Sequence, residues 1–238
     1  MTYTKRDFVN EVNSVFNLSF LIKKREPIAL GDFHFDNLPN KRLNHYLIKL
    51  NNESQYRLGE IDIDEMKNFI EKISDEITSL GISIKERYCF LTLDQGWVEP
   101  NSTLRTPGWH VDGMQGGEVE VKKPGDLTFI WSNALPTKFA EQAFNVSGLD
   151  SSIHNVFNWL GRQVKTKNIF ESKINQIYAI NPYHVHAANK ASEKVYRVFL
   201  RLSYTLTPVT STKMTLNPEI KYNYKYHVTT GEIPSYLK

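Results

Sequence analysis

At Gly81 the chain changes its hydrophobic period. Before that glycine, Met66, Phe69, Ile70, Ile73, Ile77 and Leu80 recur at the three- and four-residue spacing of one helix face, and Asp62 and Glu65 stand at capping-box spacing at its start. After it, apolar residues gather into short β-type runs: Ile82 to Ile84, Tyr88 to Leu93, Leu127 to Trp131, Gln176 to Ile180 and Val195 to Thr205, punctuated by Gly, Pro and Asn. Helices first and strands afterwards predict an α+β fold in which N-terminal helices buttress a β-sandwich or jelly roll.

An earlier helix is expected from Lys5 to Phe20, where Phe8, Val9, Val12, Val15 and Phe16 fall on one face. Residues 27–58 mix Asn, Pro and Gly with short apolar pieces and read as loops and brief strands. Between 139 and 170 the strand pattern loosens, and Ile153, Val156, Phe157 and Leu160 predict one short helix in an insertion over a sheet edge. The stretch 209–238, rich in Tyr and Thr and carrying Pro218 and Pro234, predicts an irregular arm. The expected organisation is one domain over 1–238, with a helical part at 1–81 and a strand-rich core at 82–208, a length one sandwich can use.

Composition narrows the partners. The 29 basic and 26 acidic side chains are interspersed, and the one basic run, Lys23-Lys24-Arg25, ends at Glu26. A nucleic acid is thus a weakly supported partner; it would need a groove lined by Lys23, Lys24, Arg25, Lys122 and Lys123. The single cysteine, Cys89, cannot form an internal disulfide and fits a reducing, cytoplasmic setting. The first residues have no apolar core of signal-peptide type, and no stretch approaches the ~20 apolar residues of a membrane span, so no membrane association is expected.

The segment Arg105-Thr-Pro-Gly-Trp-His110-Val-Asp112-Gly113 sets an imidazole and a carboxylate two residues apart, which on a strand places both on one face. A second cluster follows at Pro182-Tyr-His184-Val-His186. Two ligands from one strand and a histidine from another make a two-histidine, one-carboxylate facial triad, which suits iron(II) and leaves three coordination positions open. Gly113, Gly116 and Gly117 supply a turn that keeps bulky side chains away. Further on, Arg197, Phe199, Arg201 and Ser203 share a face of the run Val195 to Tyr204, and two arginines on an apolar strand require an anion, from a cosubstrate or from a neighbouring Asp or Glu.

Taken in chain order, His110-Val-Asp112, then Tyr-His-Val-His186-Ala-Ala-Asn189, then Arg197 eleven residues on, resembles the iron(II)/2-oxoglutarate-dependent dioxygenase superfamily, and phytanoyl-hydroxylase-like members most. The resemblance covers about Tyr88 to Tyr204. It implies a double-stranded β-helix of jelly-roll, cupin-like form, with His110, Asp112 and His186 binding iron and Arg197 clamping the distal carboxylate of 2-oxoglutarate. His184, two residues before His186, remains a rival ligand or a rim residue. Ala188 replaces the serine some members carry, so another side chain must help hold the cosubstrate, with Thr92, Asn133, Arg201 and Ser203 as candidates. Arg105 and Trp109 flank the first motif at the expected entrance, while Trp131 reads as core. The implied reaction consumes 2-oxoglutarate and dioxygen, and hydroxylates a C–H bond of a small molecule such as an amino acid or metabolite precursor. The alternatives are the same chemistry on a nucleobase or protein side chain, a zinc-binding cupin-like protein using His110, His184 and His186, and a binding protein without turnover.

Overall fold

The computed structural model describes residues 3–105, 107–112, 126–150, 153–209 and 213–221. It is mostly antiparallel sheet with few helices. Strands β1 (Ile28–Asp32), β2 (Leu43–Lys49), β3 (Tyr88–Val98), β4 (Leu127–Ser132), β7 (Gln176–Ile180) and β9 (Val195–Thr205) form a six-stranded sheet in the order β1-β7-β4-β9-β3-β2. Strands β5 (Lys138–Ala140), β6 (Ile169–Glu171) and β8 (His186–Ala187) form a second sheet in the order β6-β5-β8. Both strands of its β5–β6 pair bound the 139–170 stretch, within which α3 (Val156–Gly161) forms where the apolar spacing placed a helix.

The two N-terminal helices differ from expectation at their ends. Helix α1 (Lys5–Val12) begins with a capping box between Thr4 and Asp7 and stops at Asn13, well short of Phe20; residues Leu18–Ile22 form a separate 3₁₀ turn. Asn and Ser compete for backbone hydrogen bonds, which explains the break at Asn13-Ser14. Helix α2 (Asp64–Ser79) starts after Ile63 without a side-chain cap, and Asp62 pairs instead with Lys67 at 2.8 Å. Its end is as the sequence predicts: Gly81 takes φ +70°, and the bonds Gly81 N to Thr78 O and Ile82 N to Ile77 O close a Schellman motif. Ile82 is therefore a buried plug beneath the helix, and the expected strand at Ile82 to Ile84 does not form.

The alternation of each long strand divides the six-stranded sheet into two faces. Cys89, Leu91 and Leu93 of β3, Leu127, Phe129 and Trp131 of β4, and Val198, Leu200, Leu202 and Tyr204 of β9 pack with Phe8, Met66, Phe69, Ile70, Ile73 and Ile77 of the two helices. Trp131 is core, its indole N–H donating to the Phe33 carbonyl at 2.8 Å. The opposite face carries Thr92, Asp94, Ile130, Arg197, Phe199 and Arg201, and the register sets Arg201 opposite both Thr92 and Ile130. Residues 213–221 of the C-terminal stretch pack Met214 and Ile220 on Leu47 and Phe90. Gly113, Gly116, Gly117, Lys122 and Lys123, and most of the expected arm including Pro234, lie outside the described residues. No helix among the described residues is long and apolar enough to cross a membrane.

Candidate metal centre

His110 and His186 exchange both main-chain hydrogen bonds, N to O at 2.9 Å in each direction, so the two segments meet as an antiparallel pair. Extended backbone there alternates the side chains. Val111 turns into a core with Leu21, Val156, Leu160 and Tyr183, and His110 and Asp112 face the other way beside His186. One ligand atom from each of His110, Asp112 and His186 lies within 4.8 Å of the others, and His186 Nε2 is 3.8 Å from Asp112 Oδ1. Ligands ~2.1 Å from one metal on an octahedral face stand about 3 Å apart. Small rotamer shifts close that difference.

The imidazoles are preset for the task. The Nδ1 of His110 lies 3.0 Å from the Gly108 carbonyl, and that of His186 2.8 Å from the His184 carbonyl. A carbonyl only accepts, so each ring carries its proton on Nδ1 and turns the Nε2 lone pair to the centre, the outer-shell arrangement of metal-bound histidine. Burial, then His110, push His186 down to about 4, so its ring is neutral and able to ligate. At Asp112, burial acts to raise the carboxyl, but Arg201, His186, His110 and Arg105 together overcome it and hold it well below the usual carboxylate range. Asp112 is thus anionic, with Arg201 Nη1 at 3.4 Å from its Oδ1. Two neutral nitrogens and one anionic oxygen fit a divalent metal, with three positions left open.

His184 is not part of this cluster. It is 2% exposed, and its ring nitrogens meet Asn181 Oδ1 at 2.8 Å and the Glu26 carbonyl at 3.2 Å. Around it, Glu11 accepts from Arg25, Asn181 and Tyr3. His184 closes the turn begun at Asn181, its N–H bonding the Asn181 carbonyl at 3.1 Å, so it lies outside β8 and its ring points into a polar cluster under α1, while His186, on the strand, faces the metal side. This removes His184 from the three-histidine set and also from the rim.

The remaining residues fall into place along β9. Arg197 is 2% exposed; its Nε donates to the Ala134 carbonyl at 3.1 Å, its guanidinium lies 5.0 Å from the Phe199 ring, and no carboxylate among the described residues stands within ion-pair distance of it. Burial, then Arg105, lower it to about 10, with Asp94 acting against them. Arg105 covers the same Phe199 ring at 5.0 Å and approaches Asp94 at 3.7 Å. Asn133 spends its amide on β9, accepting from Val198 N at 2.7 Å and donating to Tyr196 O at 3.4 Å. Ser203 meets Thr128 at 3.4 Å, and Trp109 lies partly buried against Gly161 of α3. Ile130, Phe139, Phe170, Tyr178, Ile180 and Phe199 form an apolar cluster between the sheets, with Phe139 6.0 Å from the His186 ring. In the basic run, Lys23 pairs with Asp7, Lys24 with Glu26 and Arg25 with Glu11.

One residue escaped sequence reasoning. His45 reaches Arg201 Nη2 with its Nε2 at 3.0 Å. No motif marks it; it arrives through an irregularity of β2, where Leu43 pairs with Leu93 but Tyr46 with Leu91, so that one extra residue bulges out.

These residues define a class of site, a two-histidine, one-carboxylate cluster able to hold a metal, with arginines beside it. No protein-family model matches the chain, and no curated protein matches it. Among solved structures it is similar to EvdO2 from Micromonospora carbonacea var. aurantiaca, at 9% identity, and to the same protein complexed with 2-oxoglutarate, at 10% identity, both with a TM-score of 0.37. Each match covers 63% of this chain and 64% of that chain, less than two thirds of the EvdO2 length. At that distance the likeness decides nothing about chemistry, which rests on the site.

Proposed function

We propose that this chain is an iron(II)- and 2-oxoglutarate-dependent oxygenase on a double-stranded β-helix core, hydroxylating a C–H bond of a small molecule. The observation that carries the reading is the buried Arg197 guanidinium, without a carboxylate partner among the described residues, on the sheet face that also bears the arginine touching Asp112. A dicarboxylate cosubstrate would give that cation its partner.

Bound by His110, Asp112 and His186, iron(II) would supply chelation of the keto acid and activation of dioxygen, coupling loss of CO2 from 2-oxoglutarate to oxygen insertion into the substrate. The chain's own part is positioning. Arg197 anchors the distal carboxylate, and Asn133, bound to the β9 backbone on either side of it, fixes the strand that carries the guanidinium. Arg201 keeps Asp112 ionised, its Nη1 lying 3.4 Å from the carboxylate that would hold the metal. Phe139, Ile130 and Phe199 exclude water from one wall, which favours coupled turnover over side reactions. A reducing, cytoplasmic setting belongs to the same reading, supported by the buried thiol of Cys89.

The test is an anaerobic titration of metal-free protein with iron(II) and then 2-oxoglutarate, followed through the weak visible charge-transfer band of the chelate. A saturable band is expected. Tight zinc binding with no response to 2-oxoglutarate would reject the oxygenase.

A further inference from the structure

We propose that the substrate oxidised at this centre is a carboxylate, and that His45, Arg105 and Arg201 form the subsite that holds its anionic group. The inference rests on the oxygenase reading and extends it to the primary substrate.

The backbone at His45 has φ +47°, a left-handed conformation that a non-glycine residue adopts with difficulty. The bulge sends both Leu43 and Tyr46 into the helix-side core, and the strained residue between them carries its ring to the metal side. Bulges beside functional sites commonly re-aim a side chain in this way. What the ring does there follows from donor counting. Arg201 has only donors, so His45 Nε2 must accept from it, and the proton of the neutral ring sits on Nδ1. Among the described residues that Nδ1 is buried without a hydrogen-bond partner, and so is Nε of the adjoining Arg201. Two neighbouring buried donors lack acceptors, a defect that native proteins rarely keep without a reason.

Charge points to the acceptor. Arg105, Arg197 and Arg201 face only Asp94 and Asp112 as nearby carboxylates among the described residues, and Asp112 is committed to the metal. A cosubstrate with two carboxylates sets one on the metal and the other on Arg197. Asp94, at 3.7 Å from Arg105, is already shared with Arg42 at 3.4 Å, and the charge of Arg201 and Arg105 acts on His45. A third carboxylate, on the substrate, would accept from one of the two N–H groups, His45 Nδ1–H or Arg201 Nε–H, and neutralise the excess. The Arg105 side chain, 31% exposed, stands where such an anion would leave water.

The experiment uses the full chain loaded anaerobically with iron(II) and 2-oxoglutarate, with carboxyl-labelled ¹³C acetate as the probe and paramagnetic broadening of its carboxyl resonance as the readout. Saturable broadening is expected in the parent protein. His45→Asn, which tolerates the left-handed backbone, and Arg105→Met should each weaken acetate binding about tenfold while the 2-oxoglutarate titration stays within about twofold. Inorganic phosphate in place of acetate should bind more weakly. Broadening that never saturates, acetate midpoints unchanged in both variants, or tighter binding of phosphate would overturn the proposal. No charge-transfer band in the parent protein would instead sink the oxygenase reading, and this subsite with it, before acetate is added.

Discussion

Replacing Arg197 with methionine should stabilise the ligand-free protein while removing most of its affinity for 2-oxoglutarate. Arg197 is 2% exposed, and among the described residues its guanidinium makes one hydrogen bond, from Nε to the Ala134 carbonyl at 3.1 Å. Losing that charge-assisted bond costs about 1.5–3 kcal/mol, against the several kcal/mol of desolvation that a buried, unpaired charge carries. Methionine keeps the stem against Phe199 and sheds the charge. The balance is a gain on the order of 1–2 kcal/mol, at roughly 2–4 °C in Tm per kcal/mol for a chain of this size. With the cosubstrate present the sign reverses, because truncating one partner of a buried charge pair costs about 2–5 kcal/mol, or about 30- to 5,000-fold in Kd. Thermal melts of the metal-free protein and charge-transfer titrations of the iron-loaded protein read the two effects separately, with iron affinity as the control. A variant that melts lower and binds 2-oxoglutarate as before would refute the reasoning, since Arg197 would then serve the fold alone.

Asp112→Asn should weaken iron(II) binding by more than the roughly 10–100-fold typical of outer-shell changes, with the circular dichroism of the parent retained; unchanged metal stoichiometry would remove Asp112 from the triad. Glu11→Ala strips the acceptor from Arg25, Asn181 and Tyr3 at once and should cost about 3–5 kcal/mol in urea unfolding, most of it recovered in Glu11→Leu/Arg25→Met. Equal losses in the single and double variants would contradict this. Burial holds His45 and His186 at about 4 and His184 at about 3, below the 6.5 of the unfolded chain. The unfolded state therefore takes up protons first, so the metal-free protein should keep its full stability above pH 6.5 and lose it as pH falls toward 4. A flat Tm over that interval would show that these rings are not buried neutral.

The triad was legible because its chemistry is local. A His-x-Asp pair on extended backbone needs only the period of a strand to share a face, and the choice of His186 over His184 came from the residues that follow it. The two faces of the six-stranded sheet were equally legible in Phe199 and Arg201 against Leu200 and Leu202. Interruptions were harder to see. Helix α1 ends at Asn13 although Val15 and Phe16 continue its apolar face, because two short polar residues outweigh the spacing. Ile82 looks like the start of a strand, but it is the residue that completes the helix cap after Gly81. The role of Asn133 in binding β9 and the arrival of His45 beside Arg201 depend on pairing between distant strands, and no window of sequence contains both partners.

The main-chain pair between His110 and His186 has a thermodynamic corollary. Among the described residues, the segment 107–112 joins the second sheet through that single bridge. A metal at the triad would be one more rung on the same short ladder, made of coordination bonds rather than amides. Opening the segment and releasing the metal then become one equilibrium, and each hundredfold excess of metal over its Kd would hold the segment closed by about 2.7 kcal/mol. Amide exchange at His110 and His186 would report on occupancy with no substrate in hand, and the entrance to the site would tighten or loosen with the supply of iron.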